Sequence, residues 1–430
     1  MEKKVAPMAN KFARQRHLKA ISNTFLTLIP FMTVGSFAMV LLFPPMDYTT
    51  MDPGILRSVM QGWAAFANFA YWPLRVIQKG TLGMLALWVA VGIAFYLVKN
   101  YKMNNYLPVL LAAVAFIEVN GVGLEGGGLD ISYFGGEGLF AAMITAVAAV
   151  ELYHFLYEKK VGRIQIPGEN VPPVLVESFA ALVPSTVTML VMGIFSKLII
   201  VITGGAFPAF MTWVMTPLVS AVDSIWGIIL LSILTMIFWW FGIHDSAISS
   251  PLSPFLYANL AANMTAFTAG TALTDLPYIA TRPFWYTFMA IDGSGATFGL
   301  AILLLFSKSK QLKMVGKLGI VPAFFNINEP IIFGVPLMLN PTMFVPFVSA
   351  MTLNGIVTYM FMSLKIISKT IVDPSWNMFC PVGALISTLD WKAVILVLAL
   401  IVMDMLIYLP FFKVYEKQKL EEERTEEAKE

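Results

Sequence analysis

The stretch Thr24–Phe43, TFLTLIPFMTVGSFAMVLLF, contains twenty consecutive residues without a charged side chain. A helix of about 20 mostly apolar residues crosses a hydrocarbon core of about 30 Å. Seven further stretches satisfy the same requirement, and a shorter one is a possible ninth. They are Thr81–Val98, Leu139–Tyr157, Ser185–Thr203, Ile225–Phe241, Phe284–Phe306, Met343–Met362 and Lys392–Phe412, with Asn105–Val119 as the short one. The pattern predicts an all-α polytopic membrane protein embedded in a lipid bilayer.

The composition supports a membrane protein. Hydrophobic residues make up 58% of the 430 residues and charged residues only 13%, whereas soluble domains have about 45–50% and about 25%. The net charge of +2 gives no general attraction for nucleic acid. The single cysteine, Cys380, excludes an intramolecular disulfide framework and a multi-cysteine metal site. No sequence cluster of His, Cys and carboxylate residues predicts a metal site, and we expect no cofactor.

The charged residues predict the orientation in the membrane. A basic segment, residues 1–20, precedes the first span, and no small-residue cleavage site follows that span, so we expect a retained helix rather than a removed signal peptide. The positive-inside rule places this N-terminus and the connections at Lys99, Lys159 and Lys308 in the cytoplasm. The acidic, glycine-rich connection around Asp130 then lies on the opposite side. The charged C-terminal tail, residues 413–430, is predicted to be cytoplasmic.

The second half of the sequence is less regular. Pro, Gly, Asn and Asp interrupt the apolar stretches 250–280, 319–340 and 376–389. Non-helical backbone at membrane depth persists only where protein buries it or a water-filled cavity satisfies it, so broken segments indicate a transport site. Residues 54–78, rich in Trp and Tyr, instead predict an interfacial amphipathic helix.

The strongest local signal is FFNINEPIIFG, residues 324–334. Pro330 disfavours helix at Glu329 and removes a backbone donor, so the chain should turn here and present Glu329 together with Asn328. An ionisable residue at membrane depth is costly and by default marks a functional pathway. The alternative is an ordinary capping turn, with Asn328 as the cap and Glu329 near the helix start.

Three other polar breaks carry weaker signals. His244 and Asp245 follow a strongly apolar helix, where His244 could act in a site or satisfy carbonyl groups at the helix end. Trp376, close to Asp373 in the sequence, could stack on a sugar ring or anchor the chain at the membrane surface. The glycines of DGSGA, residues 292–296, permit close helix packing or an approach of backbone to substrate, and packing is the preferred role.

A family resemblance rests on three motifs, GIH at 242–244, NINEPIIFG at 326–334 and GSGAT at 293–297. Together they resemble the membrane subunit IIC of bacterial phosphotransferase-system sugar permeases, most closely the lactose, cellobiose and diacetylchitobiose branch. The resemblance covers nearly the whole chain in length and span pattern, and the Asn-Glu-Pro turn is its most specific part.

The resemblance implies about ten transmembrane helices with two re-entrant hairpins, in a homodimer of the bacterial cytoplasmic membrane. Residues 21–220 would form the scaffold half that makes most of the dimer contact, and residues 221–412 would bind the sugar and move it across the membrane in an elevator motion. The substrate would be a disaccharide such as cellobiose or diacetylchitobiose. A separate IIB subunit would transfer a phosphoryl group from its cysteine to the C6 hydroxyl of the sugar. The chain would thus be the membrane subunit of a sugar phosphotransferase.

The family's polar site residues map onto this sequence by motif. Glu329 would act as a general base that accepts the proton of the C6 hydroxyl or orients its oxygen. His244 would hydrogen-bond the sugar and hold its reacting end beside Glu329, and Asn328 would bind a neighbouring hydroxyl.

The resemblance also implies aromatic contacts with the sugar. Trp239, with Trp240 as the alternative, and Trp376 correspond to aromatic positions near the bound sugar. Many relatives have Gly after this histidine, whereas the chain has Asp245, which adds a carboxylate near the site.

Two other function classes would use the same residues. In a proton-coupled secondary sugar transporter, Glu329, Asp245 and His244 would carry protons. An intramembrane hydrolase would use His244 and Asp245, but the sequence offers no convincing nucleophile or metal ligands. The form in which sugar accumulates inside the cell, free or phosphorylated, separates the first class from a phosphotransferase.

Overall fold

The structure is a computed structural model that describes residues 15–44, 48–103, 106–121, 128–164, 172–243 and 245–427. Within these ranges the regular elements are helices. Six helices are long and apolar enough to cross a membrane, or seven if a pair of helices bent by 72° is counted as one span. The predicted class, an all-helical polytopic membrane protein, is confirmed.

The described part of the chain contains sixteen α-helices, one short π-helix and three 3₁₀-helices, Tyr48–Thr50, Leu82–Met84 and Gly136–Gly138. The α-helices are α1 (Arg16–Leu42), α2 (Ile55–Phe69), α3 (Tyr71–Thr81), α4 (Leu85–Asn100), α5 (Leu107–Asn120), α6 (Leu139–Glu158), α7 (Pro173–Thr203), α8 (Phe207–Val222), α9 (Ile225–Trp240), α10 (Ser246–Thr268), α11 (Phe298–Leu305), α12 (Lys310–Phe324), α13 (Glu329–Gly334), α14 (Pro341–Ser363), α15 (Cys380–Thr388) and α16 (Trp391–Glu427). The π-helix is Phe284–Met289.

One compact unit comprises Arg14–Met39 and Tyr71–Leu218. Helices α4, α5 and α6 pack against one another, and α7 packs against α5 and α6. The fully buried residues of these helices include many alanines, among them Ala90, Ala112 and Ala146. Small side chains let helix backbones approach closely, which is how helices associate in a lipid environment.

A second compact unit includes Val40–Ala70 and Val219–Glu430. Helix α11 packs against both α12 and α16, and α14 packs against α9, α16 and the π-helix. Its core contains the fully buried aromatic side chains of Phe284, Phe288, Phe347 and Tyr408. All three of the broken stretches predicted from the sequence lie in this unit.

Most predicted spans are helices in the structure. Helices α1, α6, α7, α14 and α16, and α3 and α4 taken together, are the six span candidates and each contains most or all of a predicted stretch. The predicted span Ile225–Phe241 corresponds to α9, the second member of the bent pair. The short ninth candidate corresponds to α5, which has 14 residues.

The prediction of one continuous span over Phe284–Phe306 is wrong. The chain forms the π-helix, leaves helical geometry after Met289, and resumes as the eight-residue α11. The residues between them interrupt the helix, because Asp292, Gly293, Gly295 and Ala296 all have positive φ angles, which contacts with distant residues hold in place. No α-helix can contain such residues.

The predicted breaks are confirmed in all three places. Helix α12 ends at Phe324 and α13 spans only Glu329–Gly334, and residues 369–379 are non-helical before α15 begins. Within 250–280, α10 ends at Thr268 and residues 269–280 are non-helical. Pro251 and Pro254 lie inside α10, so each removes one i→i−4 hydrogen bond without ending the helix.

The predicted amphipathic helix at 54–78 corresponds to two helices, α2 and α3. Large apolar side chains are exposed on both, including Ile55 and Phe69 of α2 and Trp72 of α3. Exposed aromatic and aliphatic residues on amphipathic helices are typical of a membrane interface.

Candidate functional site

The centre of the candidate site is the loop Asp292-Gly293-Ser294-Gly295-Ala296-Thr297, here called the 292–297 loop. Its φ angles are 70° at Asp292, 98° at Gly293, 93° at Gly295 and 52° at Ala296. Two glycines take left-handed geometry easily, but Asp292 and Ala296 do so at a cost of about 1–2 kcal/mol each. Such backbone persists only where the surroundings fix it, and it is concentrated at functional sites.

Asn328 holds this loop from the side of the Asn-Glu-Pro turn. Its Nδ2 donates to the carbonyl oxygen of Ser294 at 2.9 Å and to Thr297 Oγ1 at 2.9 Å. A Cβ atom at Gly293 would lie 2.9 Å from the Asn328 side chain, so the glycine is required for this approach. Asn328 is only 5% exposed. Both of its N–H donors are therefore used to position the loop.

Asn326 connects the loop to a third segment. Its own φ is 56°, a conformation that Asn tolerates better than most residues. Its Oδ1 accepts from Asp292 N at 3.0 Å, while its Nδ2 donates to the carbonyl oxygens of Trp376 at 2.6 Å and Met378 at 3.2 Å. Asn326 is part of the motif at 326–334, but no role was predicted for it from the sequence. The only sequence signal was its presence, two residues before Asn328, in an apolar run.

Buried carboxyl and hydroxyl groups complete the loop. Thr297 Oγ1 donates to Asp292 Oδ2 at 2.8 Å, and Tyr408 Oη of α16 donates to the carbonyl oxygen of Gly295 at 2.7 Å. Asp292, Thr297 and Tyr408 are all fully buried. These bonds lie in an apolar core and so favour one arrangement of the chain. Asp292 Oδ1 is buried without a hydrogen-bond partner among the described residues.

Asp245 lies on the loop from the other direction. It precedes α10, its side chain is half-buried, and its Oδ2 accepts from Ser294 Oγ at 2.7 Å. Ser294 therefore contacts Asp245 through its hydroxyl and Asn328 through its carbonyl oxygen. The structure brings these two predicted site residues to one loop although 83 positions separate them in the sequence.

Glu329 is the accessible acid of this region. It is the first residue of α13 and its side chain is exposed, while Ile331 and Ile332 in the same helix are fully buried and anchor it. The arrangement presents one carboxylate at the surface of a rigid, internally bonded turn.

A buried ion pair fixes the segment that carries Trp376. Arg282 Nη1 lies 2.8 Å and 2.7 Å from the two carboxylate oxygens of Asp373, and both side chains are buried. The guanidinium group lies over the rings of Tyr257 and Tyr286, at 5.3 Å and 4.9 Å from their centroids. The contacts balance the cost of burying the charges.

Trp376 itself projects from this fixed segment. Its side chain is 38% exposed, and its carbonyl oxygen accepts from Asn326. Ser375 before it has a φ of 74°, and its N–H donates to Asp373 Oδ1 at 3.3 Å.

No role was predicted for Arg282 from the sequence. It is the sole arginine between Arg163 and Arg424, and this isolated charge in an apolar region is the feature that could have indicated a buried ion pair.

The two tryptophans of α9 differ in their surroundings. Trp239 is 5% exposed and belongs to the core of this unit. Trp240 is half-buried, its Nε1 donates to the carbonyl oxygen of Asn340 at 3.1 Å, and its ring contacts Phe344 edge-on. Trp240 therefore bonds to and packs against the start of α14. The predicted residue His244 lies outside the described residues.

These features indicate a class of protein. Six or seven membrane-spanning helices, a polar loop buried among broken helices and an accessible carboxylate beside it are typical of a solute permease. The family can then be stated directly. The chain belongs to the EIIC family of the phosphotransferase system, because the family model described as "Phosphotransferase system, EIIC" matches residues 22–350.

Individual relatives agree with this assignment over the full length. The chain is 30% identical to the PTS system cellobiose-specific EIIC component of Geobacillus stearothermophilus, with 99% of this chain and 96% of that protein covered. It is also 30% identical to the lichenan permease IIC component of Bacillus subtilis (strain 168), covering 98% and 94%.

A solved structure matches as well. The crystal structure of the transporter ChbC, the IIC component from the N,N'-diacetylchitobiose-specific phosphotransferase system, aligns with a TM-score of 0.88 and 30% identity over 98% of this chain and 99% of that one. The protein is therefore a membrane-embedded EIIC sugar permease, and the predicted family is confirmed.

Proposed function

We propose that this chain binds a β-linked disaccharide, moves it inward and presents its C6 hydroxyl group to a phosphocysteine of a IIB subunit. The observation that carries the proposal is the placement of Glu329. Its carboxylate is exposed, yet it follows directly on Asn328, whose amide is bonded to the 292–297 loop. A fixed, accessible carboxylate within an apolar unit is what the acceptance of a hydroxyl proton requires.

The proposed reaction moves one phosphoryl group and one proton. The C6 oxygen attacks the phosphorus of the phosphocysteine, an O–P bond forms while the S–P bond breaks, and Glu329 accepts the hydroxyl proton. Positioning of the reacting groups and electrostatic stabilisation of the transition state provide most of the rate enhancement in such transfers. Glu329 is therefore the proposed general base, and His244 is proposed to hold the reacting end of the sugar.

The remaining site residues are proposed to bind the sugar. Asp245 is half-buried beside Ser294, and a carboxylate at this place suits a sugar hydroxyl. Asn328 would contribute its side-chain oxygen, Oδ1, because both N–H groups of its side-chain amide already have partners. Trp376, partly exposed, is the better placed aromatic for stacking, and Trp239 would line the site from α9.

The substrate class rests on the relatives. Cellobiose and N,N'-diacetylchitobiose stand in the names of two proteins that match nearly the whole chain. Both are disaccharides with apolar ring faces and many hydroxyl groups, which suits a site of tryptophan, carboxylate and amide groups. We therefore propose one of these two sugars, or a close analogue.

The assembly is proposed on the same basis. Ten transmembrane helices with two re-entrant hairpins, a homodimer formed by residues 21–220 and an elevator-like movement of residues 221–412 belong to this proposal. So do cytoplasmic N- and C-termini in a bacterial cytoplasmic membrane. The chain is proposed to act as the membrane subunit of an enzyme whose phosphoryl donor is on IIB.

The test is uptake of radiolabelled cellobiose and diacetylchitobiose by cells that express the chain with and without its IIB partner. Internal label is separated into sugar and sugar phosphate. We expect sugar phosphate only when IIB is present. Accumulation of free sugar driven by a proton gradient would instead identify a secondary transporter.

Glu329→Gln provides the residue-specific arm of this test. The variant keeps the size of the side chain and one acceptor oxygen but removes the base, so we expect sugar binding within about twofold of wild type and phosphorylation lowered by at least about 100-fold. Phosphorylation at the wild-type rate would contradict the role of Glu329.

A further inference from the structure

The C-terminal part of α16 bonds to the start of α12, the helix that leads into the Asn-Glu-Pro turn. At about 1.5 Å per residue, the 37 residues of α16 extend about 55 Å, well beyond a hydrocarbon core of about 30 Å. The excess is the charged tail, and two of its glutamates, Glu416 and Glu423, lie seven residues apart. That spacing places both on one face of the helix.

Both glutamates accept hydrogen bonds from the junction between α11 and α12. Glu416 Oε1 accepts from Ser307 Oγ and from Lys308 N, each at 2.6 Å. Glu423 Oε1 accepts from Ser309 Oγ at 2.6 Å and from Gln311 N at 3.0 Å, and Glu423 Oε2 accepts from Lys310 N at 3.3 Å.

Two serines extend these bonds to the remaining free N–H groups. Ser307 Oγ accepts from Ser309 N at 3.2 Å, and Ser309 Oγ accepts from Leu312 N at 3.2 Å. Five consecutive backbone N–H groups, those of residues 308–312, are thus bonded directly or through a serine to the two carboxylates. Carboxylates at a helix N-terminus also interact favourably with its dipole.

Close packing connects this end of α12 to Glu329. A Cβ atom at Gly316 would lie 2.7 Å from the carbonyl carbon of Leu304 in α11, and one at Gly319 would lie 2.7 Å from Ile331 Cγ1 in α13. Helices that approach this closely cannot slide past each other without repacking. A displacement of α12 would therefore displace α13 and the carboxylate at its first position.

We propose that Glu416 and Glu423 are positioning residues for phosphoryl transfer, because they fix α12 and thereby the location of Glu329. The proposal rests on the proposed function of Glu329. It assigns a role to a tail that looks in the sequence like a solvated charged extension.

The test uses the full chain in lipid nanodiscs with phosphorylated IIB and cellobiose. Glu416 and Glu423 are together called the clamp, and the double variant Glu416→Ala/Glu423→Ala is the clamp variant. It should lower the phosphorylation rate at saturating sugar by about tenfold, since small misplacements of a catalytic group are costly. The dissociation constant of the sugar should change by less than about twofold. Glu416→Gln/Glu423→Gln, which keeps acceptor oxygens, should recover most of the rate.

The matched control is Glu421→Ala/Glu422→Ala, which removes the same charge from the same helix. Both side chains are exposed, and Glu422 pairs with Lys419 of the same helix. We expect wild-type kinetics from it. A clamp variant whose rate at saturating sugar equals that of wild type would overturn the proposal, as would equal losses in the control.

A direct distance measurement separates this proposal from the proposed function. Cys380 is the single cysteine, so spin labels can be attached at Lys317→Cys and Lys413→Cys in a Cys380→Ala background. The clamp variant should broaden the distance distribution between these labels, whereas the control should not. The distance measurement does not require phosphorylation. A wild-type protein that phosphorylates no sugar would refute only the proposed function. A distance distribution that is the same in wild type and in the Glu416→Ala/Glu423→Ala variant would refute the positioning role of Glu416 and Glu423.

Discussion

At the residue scale, Asn326 makes the largest set of connections in the candidate site. Its side-chain oxygen accepts a hydrogen bond from Asp292 N in the 292–297 loop. Its side-chain nitrogen donates to two carbonyl oxygens in the segment that carries Trp376. Cys380 Sγ also donates to its Oδ1 at 3.2 Å. Asn326 thus connects the region around Glu329 to the segment of the proposed aromatic contact.

Substitution of Asn326 tests this role. Asn326→Ala leaves buried donors and acceptors unpaired and places Ala at a φ of 56°, so we expect a loss of about 2–4 kcal/mol in the free energy of unfolding. Asn326→Gly loses the same bonds without the backbone cost and should be about 1 kcal/mol less destabilising. Thermal unfolding in detergent measures both variants. Equal midpoints for wild type and Asn326→Ala would contradict the network.

At the element scale, the interruption between the π-helix and α11 depends on local backbone geometry. The loop is held by Asn328 and Tyr408, and its glycines allow other groups to come close. The Gly295 φ is 93°, and a Cβ atom there would collide with the ring of Phe347 in α14. The glycines therefore permit the non-helical backbone of this loop. They also permit close packing of helices, which is the role that was preferred from the sequence.

Gly295→Ala tests the loop as an element. A left-handed alanine and the collision with Phe347 together should destabilise the protein by about 2–4 kcal/mol. Gly193→Ala in α7 is the control, because a Cβ atom there meets nothing within 4 Å and alanine favours helix. Unfolding midpoints in detergent should fall for the first variant and stay or rise for the second. A neutral Gly295→Ala would mean that the loop adapts freely.

At the scale of the whole molecule, orientation follows from the distribution of lysines. The connection at Lys159 is predicted to be cytoplasmic and the one around Asp130 to lie outside. Lys159→Cys and Ser132→Cys replace exposed residues and can each be placed in a Cys380→Ala background. An impermeant maleimide applied to intact cells should label only Ser132→Cys, and Lys159→Cys should react once the membrane is opened. The reverse pattern would invert the predicted topology.

The membrane class, most spans and the site motif could be read from the sequence alone. Long apolar stretches can only be buried in lipid or in a helix bundle, and Pro330 is compatible with the first turn of a helix but not with its interior, so these features depend on local chemistry. The resemblance carried by GIH, NINEPIIFG and GSGAT was sufficient for the family, which the match to residues 22–350 confirmed. The roles of the individual site residues remain predictions.

Only the tertiary structure decided which distant groups meet. That Asp245 and Asn328 share Ser294, that Arg282 pairs with Asp373, and that Glu416 and Glu423 bond the start of α12 are contacts between residues at least 34 positions apart. Periodicity and hydropathy describe one segment at a time and contain no information on such partners. The break inside Phe284–Phe306 was missed for the same reason, because its polar backbone is stable only when Asn326, Asn328 and Tyr408 are in place.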